Sequence, residues 1–352
     1  GGPDPVIAVS AILPAVLSLT GIFLMVHFEA KKLGLAGLPR ESIPHFGRLF
    51  ITKGYLFLPV VVLIAMMGLG FTPAYAACFG ILSAFLVSLI RKETRITPKG
   101  LVEALSSGSR NTIGIAMACA IAGTIVGIVS LTGIGQFLIG RLISVVNYPF
   151  FIQTGTSLVI ALVITMFTCL VLGMGIPTTA NYVIMATITA PMVIRAGTAT
   201  GYAVPILAAH MCVFYFGIIA DITPPVALAA YAGAAIAKGD PMKTGITATR
   251  LAITAFIIPY IFVFSPAILM INTNPWEVIR IVLSAFTGMV SLAAGLEGFM
   301  LRKVPVLLRL AAVAGGLSLI DPGLISDLVG FGLIALVVAT QVIDLKKEKS
   351  LS

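Results

Sequence analysis

The sequence predicts an all-α integral membrane protein, a polytopic helix bundle in which some helices are broken and re-entrant. The first observation is composition: 59% of the 352 residues are hydrophobic and 10% are charged. Soluble domains run at about 45–50% and about 25%. Mean hydropathy is +1.11. The second is that charge is missing from long stretches. No Asp, Glu, Lys or Arg falls between Asp4 and Glu29, Lys53 and Arg91, Arg110 and Arg141, Arg141 and Arg195, Arg195 and Asp221, or Arg250 and Glu277. A spanning helix needs about 20 apolar residues, and Leu142 to Ile194 has room for two. The third is that Gly and Pro interrupt the apolar runs in the middle of the chain. A soluble chain this apolar would expose more greasy surface than water tolerates, which excludes a soluble globular enzyme. It also excludes a disordered chain.

Val6–Phe28 reads as the first span. A basic loop follows with Lys31, Lys32, Arg40, Arg48 and Lys53. Tyr55–Leu69 and Pro73–Ile90 read as a helical pair joined by the turn Gly70-Phe71-Thr72. A second basic loop carries Arg91, Lys92, Arg95, Lys99 and Arg110. Basic residues beside spans mark the cytoplasmic side, and two spans between two basic loops agree with that parity. The C-terminal part repeats the pattern. Lys238, Lys243 and Arg250 mark one inside segment, Arg302 and Lys303 a second, and Lys346-Lys347-Glu348-Lys349 a third. Outer turns fall near Asn272–Pro275 and Asp321-Pro322-Gly323. The spans between are Ile246–Ile271, Trp276–Met300, Val304–Ile320 and Leu324–Ile343, with Trp276 as an interfacial aromatic. The net charge of +9 therefore reports topology, and no nucleic-acid partner is expected. The start Gly1-Gly2-Pro3-Asp4-Pro5 has neither a basic n-region nor an initiator Met, so the numbering is expected to begin inside a longer chain.

The stretch from Asn111 to Ala237 does not read as simple spans. It is interrupted at Thr132-Gly133-Ile134-Gly135, at Gly173-Met174-Gly175-Ile176-Pro177-Thr178-Thr179 and at Asp221-Ile222-Thr223-Pro224-Pro225. Proline removes a backbone donor and breaks the helix ladder. Such a break is tolerated in a bilayer only where protein buries it or where it lines an aqueous cavity. Discontinuous helices of this kind point to a transport site; the plainer reading is a proline kink.

Asp221 is the sole acidic residue between Glu103 and Asp240. An ionisable group in an apolar stretch costs about 2.5–3.5 kcal/mol on insertion scales and is functional by default. Pro224 and Pro225 cannot donate, so carbonyls one turn earlier are expected to be free. Free carbonyls, the Thr223 hydroxyl and the Asp221 carboxylate form an all-oxygen set suited to a hard cation such as Na⁺. The alternative is that Asp221 caps the next helix. At the other break, Gly173 and Gly175 permit unusual backbone angles and Pro177 opens a helix. Thr178, Thr179 and Asn181 supply oxygens and donors at that helix start, where free N–H groups and the dipole favour an anion.

His210, on an apolar helix with Tyr215, reads first as a satisfied buried histidine and second as a proton or substrate contact. Arg195 and Arg141 read as snorkelling arginines. Cys78, Cys119, Cys169 and Cys212 sit alone in apolar runs and read as buried structural thiols, with neither zinc nor a disulfide framework suggested. No HExxH, P-loop or GxSxG pattern is present, so no enzymatic activity is expected.

Three long motifs carry a family resemblance: Gly173-Met174-Gly175-Ile176-Pro177-Thr178-Thr179-Ala180-Asn181-Tyr182, Ala209-His210-Met211-Cys212-Val213-Phe214-Tyr215-Phe216, and Asp221-Ile222-Thr223-Pro224-Pro225-Val226-Ala227-Leu228-Ala229. With Val26–Lys32, Gly239–Gly245 and Phe264–Ala267 they resemble the large membrane subunit of TRAP transporters, closest to the fused 4TM/12TM permeases of the TAXI group. The resemblance implies a secondary transporter of elevator type, a symporter that uses the Na⁺ gradient to import small organic acids such as dicarboxylates. It implies an extracytoplasmic solute-binding protein and a small four-helix subunit as partners, in the inner (plasma) membrane of a bacterium or archaeon. No cofactor is implied beyond Na⁺ as coupling ion.

The resemblance divides the chain into residues 1–110, the end of a first repeat with connecting helices; residues 111–245, the transport region of the second repeat; and residues 246–352, C-terminal transmembrane helices. The implied substrate and cation site comprises Gly173, Gly175, Ile176, Thr178, Thr179, Asn181, Asp221, Thr223 and Pro224. Gly175, Thr178, Asp221 and Thr223 are the Na⁺ candidates. The family's upstream break has no counterpart before Val6, so the first repeat is expected to be incomplete here, with its remainder and the small subunit outside these residues. Three other readings stand beside this one: a carrier without a binding protein, an intramembrane enzyme with Asp221 and His210 as acid and base, and a non-transporting scaffold.

Overall fold

The computed structural model describes residues 4–35, 37, 39, 43, 45–90, 94–271, 273–319 and 323–351. Among these the fold is all-helical, and the strand-type pairing is confined to an isolated bridge between Phe299 and Lys303. In chain order the helices are α1 (Asp4–Lys32), α2 (Phe46–Lys53), α3 (Leu58–Gly68), α4 (Pro73–Ser88), α5 (Pro98–Thr132), α6 (Ile134–Val146), α7 (Pro149–Gln153) and α8 (Ser157–Gly173). They continue as α9 (Thr178–Ala199), α10 (Ile206–Ala220), α11 (Leu228–Ala237), α12 (Pro241–Leu251), α13 (Ile258–Phe264), α14 (Pro275–Glu297), α15 (Val306–Ser318) and α16 (Leu324–Leu351). Several are long and apolar enough to cross a bilayer, so the chain is a multi-pass membrane protein.

The chain divides into two compact units. One comprises Gly1–Ile12 and Leu35–Gly114, the other Leu13–Gly34 and Ile115–Ser352, so α1 and α5 contribute residues to both. In the first unit, α3 and α4 form the expected pair. Thr72 caps α4 by accepting from the Tyr75 amide at 3.4 Å, and Pro73 occupies the first turn. Apolar side chains such as Val60, Ile64, Ile81 and Leu86 face outward, as a lipid-facing surface requires. Cys78 is exposed on the same pair, contrary to its reading as a buried thiol.

The basic loops are shorter than expected. Arg48 and Lys53 stand on α2, and Lys99 and Arg110 stand on α5. The reason was present in Thr97-Pro98. The Thr97 hydroxyl accepts from the Gly100 amide at 3.1 Å, and Pro98 starts the helix. Arg40, Arg91, Lys92, Asn272, Asp321 and Pro322 lie outside the described residues, as do the side chains of Cys119 and of Lys346 to Lys349.

In the second unit, α6, α8 and α9 share a core built on Leu142, Val146, Ala161, Ile184, Ile188 and Met192. Helix α10 packs against α8, α9 and α13, with Ala209, Cys212, Val213 and Phe216 buried. The expected single span Ile246–Ile271 is broken. Helix α12 ends at Leu251, a 3-10 turn covers Ile253–Phe256, and α13 begins at Ile258, bent by 56°. Pro259 lies in the first turn of α13, where its missing N–H costs nothing, and it could not sit inside an unbroken helix over Ile246–Ile271. Helix α15 also falls short of the expected span. Its 13 residues extend about 20 Å, against about 30 Å of hydrocarbon.

Four charged side chains meet at one end of this unit. Lys32 Nζ lies 2.6 Å from Glu297 Oε1 and 3.4 Å from Glu29 Oε2, and Arg250 pairs with Glu29. Lys32 also donates to the Glu297 carbonyl at 3.1 Å. The ends of α1, α12 and α14 therefore lie together, as the charge pattern of the sequence requires if they share a membrane face. Arg309 closes α14 by donating to the Gly295 and Leu296 carbonyls, each at 2.9 Å.

Glu297 is 4% exposed. Removing it leaves the Lys32 ammonium short of its nearest acceptor. Glu297→Ala is expected to destabilise the protein by about 1–3 kcal/mol, read as a lower thermal unfolding midpoint in detergent micelles. Adding Lys32→Met should recover part of the loss, because apolar replacement of a whole pair is often neutral. A double variant that is less stable still would refute the account.

Candidate functional site

The site forms where two helix breaks meet. Helix α8 ends at Gly173, a position where nothing larger fits. A Cβ on Gly173 would lie 2.8 Å from the Ala220 Cβ and 2.9 Å from the Asn181 amide nitrogen. Helices α8 and α10 thus approach closely, with Asn181 of α9 wedged between them. Asn181 is 3% exposed, its Nδ2 donates to the Gly217 carbonyl at 3.2 Å, and its Oδ1 has no protein partner. The chain then turns through Gly175 at φ 73°, a conformation that costs side-chain-bearing residues about 1–2 kcal/mol.

Pro177 is the N-cap of α9, one position before the expected first turn. The first amide of α9 bonded within the helix is that of Asn181, which donates to the Pro177 carbonyl at 2.9 Å. No side chain caps α9, so the amides of Thr178, Thr179 and Ala180 stand at its positive end.

The second break follows α10. Its last turn tightens, with the amides of Asp221, Ile222 and Thr223 donating to the carbonyls of Ile218, Ile219 and Ala220 at 3.2, 3.1 and 3.1 Å. A cis peptide joins Pro224 to Pro225, and Ala227 enters α11 at φ 32°. The carbonyls expected to be free are occupied. Asp221 O accepts from the Ala229 amide at 3.1 Å, Ile222 O from the Thr249 hydroxyl at 2.9 Å, and Thr223 O from the Ala227 amide at 3.1 Å. The prolines did remove two donors; folding the segment back on itself and onto α12 replaced them. Nor does Asp221 cap α11, since α11 has no side-chain cap.

A cavity of about 300 Å³ opens between the two breaks. It is lined by Gly175, Ile176, Pro177, Thr178, Asp221, Leu228 and Ala229. Among the described residues nothing pairs with the Asp221 carboxylate, which faces the amino end of α9 across this space. Gly175, Ile176, Thr178 and Asp221 are thus brought together. The other sequence candidates are not in the lining. Gly173 and Asn181 are packed inside, and Thr179 is exposed. The Thr223 hydroxyl donates to the Ile219 carbonyl at 2.8 Å, and Pro224 packs toward Gly245.

Three lining residues, Pro177, Leu228 and Ala229, were not anticipated. The signal for the last two is tertiary, because Ala229 reaches the cavity by bonding back to Asp221. His210 meets Tyr182 Oη at 2.9 Å and does not line the cavity, in keeping with its reading as a satisfied histidine. Arg195 is exposed, and the Arg141 guanidinium lies 5.0 Å from the centre of the Phe137 ring. Cys169 and Cys212 are buried.

An open cavity with one unpaired acid and one positive helix end, both in apolar surroundings, suits the joint binding of a cation and an anion. A family model described as "Tripartite ATP-independent periplasmic transporter, DctM component" matches residues 6–277, which include the whole cavity. No curated protein matches the chain, and no solved structure does.

The packing account separates three threonine and glycine positions. Gly173→Val is expected to destabilise by about 1–3 kcal/mol through overpacking. Gly175→Ala should cost about 1–2 kcal/mol through its backbone angle. Thr179→Ala should stay within about 0.5 kcal/mol of the parent. Thermal unfolding of the three purified variants checks the order, and a Gly173→Val protein as stable as Thr179→Ala would contradict it.

Proposed function

The chain belongs to the family of the DctM component of tripartite ATP-independent periplasmic transporters, and on that premise we propose that it imports small organic acids, dicarboxylates among them, by Na⁺ symport. It is a transporter permease and not an enzyme. Membership implies two partners, a solute-binding protein and a small membrane subunit. The finer reading is a permease of the fused TAXI group that works by an elevator motion in a bacterial or archaeal inner membrane, with residues 111–245 as its moving transport region. The supporting motifs are those around Gly173, His210 and Asp221.

The observation that carries the coupling is the unpaired Asp221 carboxylate, set across the cavity from the amino end of α9. A carboxylate in apolar surroundings favours a cation, and Na⁺ prefers oxygen ligands. Asp221 would hold it, with the Thr178 hydroxyl and the backbone around Gly175 as further oxygens. The amides of Thr178, Thr179 and Ala180 would hold a substrate carboxylate. Each ligand lowers the electrostatic cost of the other, so binding of the two is coupled in both directions. Import of an anion also works against an inside-negative potential of about 2.3 kcal/mol per charge per 100 mV, and co-transported Na⁺ offsets that cost.

Asp221→Asn keeps the shape and removes the charge. In proteoliposomes holding the permease, the small subunit and the binding protein, the Na⁺ concentration for half-maximal uptake of a labelled organic acid should rise at least about tenfold, the effect of losing about 1.4 kcal/mol. Unchanged Na⁺ dependence sinks the assignment of Asp221. Uptake that persists at full rate without the binding protein would instead identify a free-standing carrier.

A further inference from the structure

The Asp221 break is held from within by three hydrogen bonds. Ala229 N donates to Asp221 O at 3.1 Å, Thr223 Oγ1 to Ile219 O at 2.8 Å and Tyr231 Oη to Pro225 O at 2.7 Å. Another comes from a different helix: Thr249 Oγ1 of α12 donates to the Ile222 carbonyl at 2.9 Å, 27 residues away. Ile222 directly follows the unpaired acid. The same face of α12 carries Gly245, where an added Cβ would lie 3.3 Å from Pro224 and 3.4 Å from Ala227. Helix α12 therefore presses on the break at both ends of the proline pair. It is itself fixed one residue beyond Thr249, where Arg250 pairs with Glu29, Glu29 with Lys32, and Lys32 with Glu297.

We infer that Thr249 is a positioning residue for the cation site. It holds the Ile222 carbonyl, and through it the backbone that aims the Asp221 carboxylate into the cavity, while the Arg250 ion pair holds α12 in register. The inference rests on the reading of Asp221 as a cation ligand. A single hydroxyl serves this role because the Ile222 amide already donates backward to Ile219 at 3.1 Å, and the two following residues that could stiffen the segment are prolines without donors. The Thr249 hydroxyl also lies 3.0 Å from the Gly245 carbonyl, the ordinary back-bond of a threonine in a helix. Thr247, whose hydroxyl donates to the Lys243 carbonyl at 2.8 Å, makes only that kind of bond and serves as the control.

The test uses the full-length chain in lipid nanodiscs and four forms: parent, Thr249→Val, Thr249→Ser and Thr247→Val. Two quantities are read. One is amide hydrogen exchange across residues 221–231. The other is the Na⁺ concentration that gives half of the Na⁺-dependent rise in thermal midpoint, with choline as ionic-strength control. Thr249→Val should exchange faster in that segment and raise the Na⁺ midpoint about 3- to 10-fold, the effect of losing one partly buried hydrogen bond. Thr249→Ser should restore both, and Thr247→Val should change neither. Faster exchange with an unmoved Na⁺ midpoint would overturn the inference, as would unchanged exchange in Thr249→Val. A parent protein whose midpoint ignores Na⁺ would refute the sodium reading of Asp221. The positioning role then stands or falls on exchange alone, with the valine variant loosened and the serine variant not.

Discussion

One constraint governs this molecule: a backbone amide or carbonyl left without a partner in hydrocarbon costs several kcal/mol. Continuous helices meet it automatically. Every break has to meet it some other way, so each break records what replaced the lost ladder. At the α12–α13 bend the replacement is a 3-10 turn, with Ala255 and Ile257 amides bonded three residues back at 2.8 and 3.2 Å. After α10 it is a tightened last turn, a return bond from Ala229 and a hydroxyl from α12. At the start of α9, no side chain among the described residues caps the helix. Thr178, the first residue of that uncapped helix, lines the cavity that also holds the unpaired acid.

The same constraint explains why the glycines and the asparagine around this opening are packing residues. For the amino end of α9 to face Asp221, α8 must stop and α10 must pass within backbone contact. Gly173 makes that approach possible, and the Asn181 amide fills the wedge while donating to Gly217. These residues shape the cavity without lining it. Their chemistry resembles that of ligands, which is why a reading from residue type alone grouped them with Thr178 and Asp221.

Much of the fold could be read from the sequence because the bilayer imposes simple rules. Charge-free runs mark spans, and basic residues mark one face; the meeting of Glu29, Lys32, Arg250 and Glu297 agrees with that parity. The places where the reading failed are local. Thr97-Pro98 is a helix start, and the charges of Lys99 and Arg110 that follow it mimic a loop although Thr97 supplies a cap. Pro259 lies inside a long apolar run, and hydropathy is blind to the break that it accompanies. In the site, the breaks were legible but their partners were not. Helical spacing does put Asn181 on one face with Ile184, Met185 and Ile188, all buried, and that stripe could have withdrawn it from the ligand list. Nothing in the order of residues ties Thr249 to Ile222, because that bond depends on how α12 lies against the segment.

The arrangement also bears on how coupling arises in so small a space. A helix end carries roughly half a positive charge, and that charge falls off within its first turn. On the proposed reading Asp221 is ionised in the same lining, so the cavity would be net negative and would admit a cation before an anion. Once a cation is bound, the balance reverses and the three amides of α9 can take a carboxylate without opposing Asp221. The order follows from the charges alone and needs no moving part at the site. What the protein must supply is rigidity: a carboxylate free to swing onto the α9 amides would neutralise both partners and close the site to either ligand. The Thr249 bond to Ile222, with α12 held through Arg250 and Glu29, would supply that rigidity.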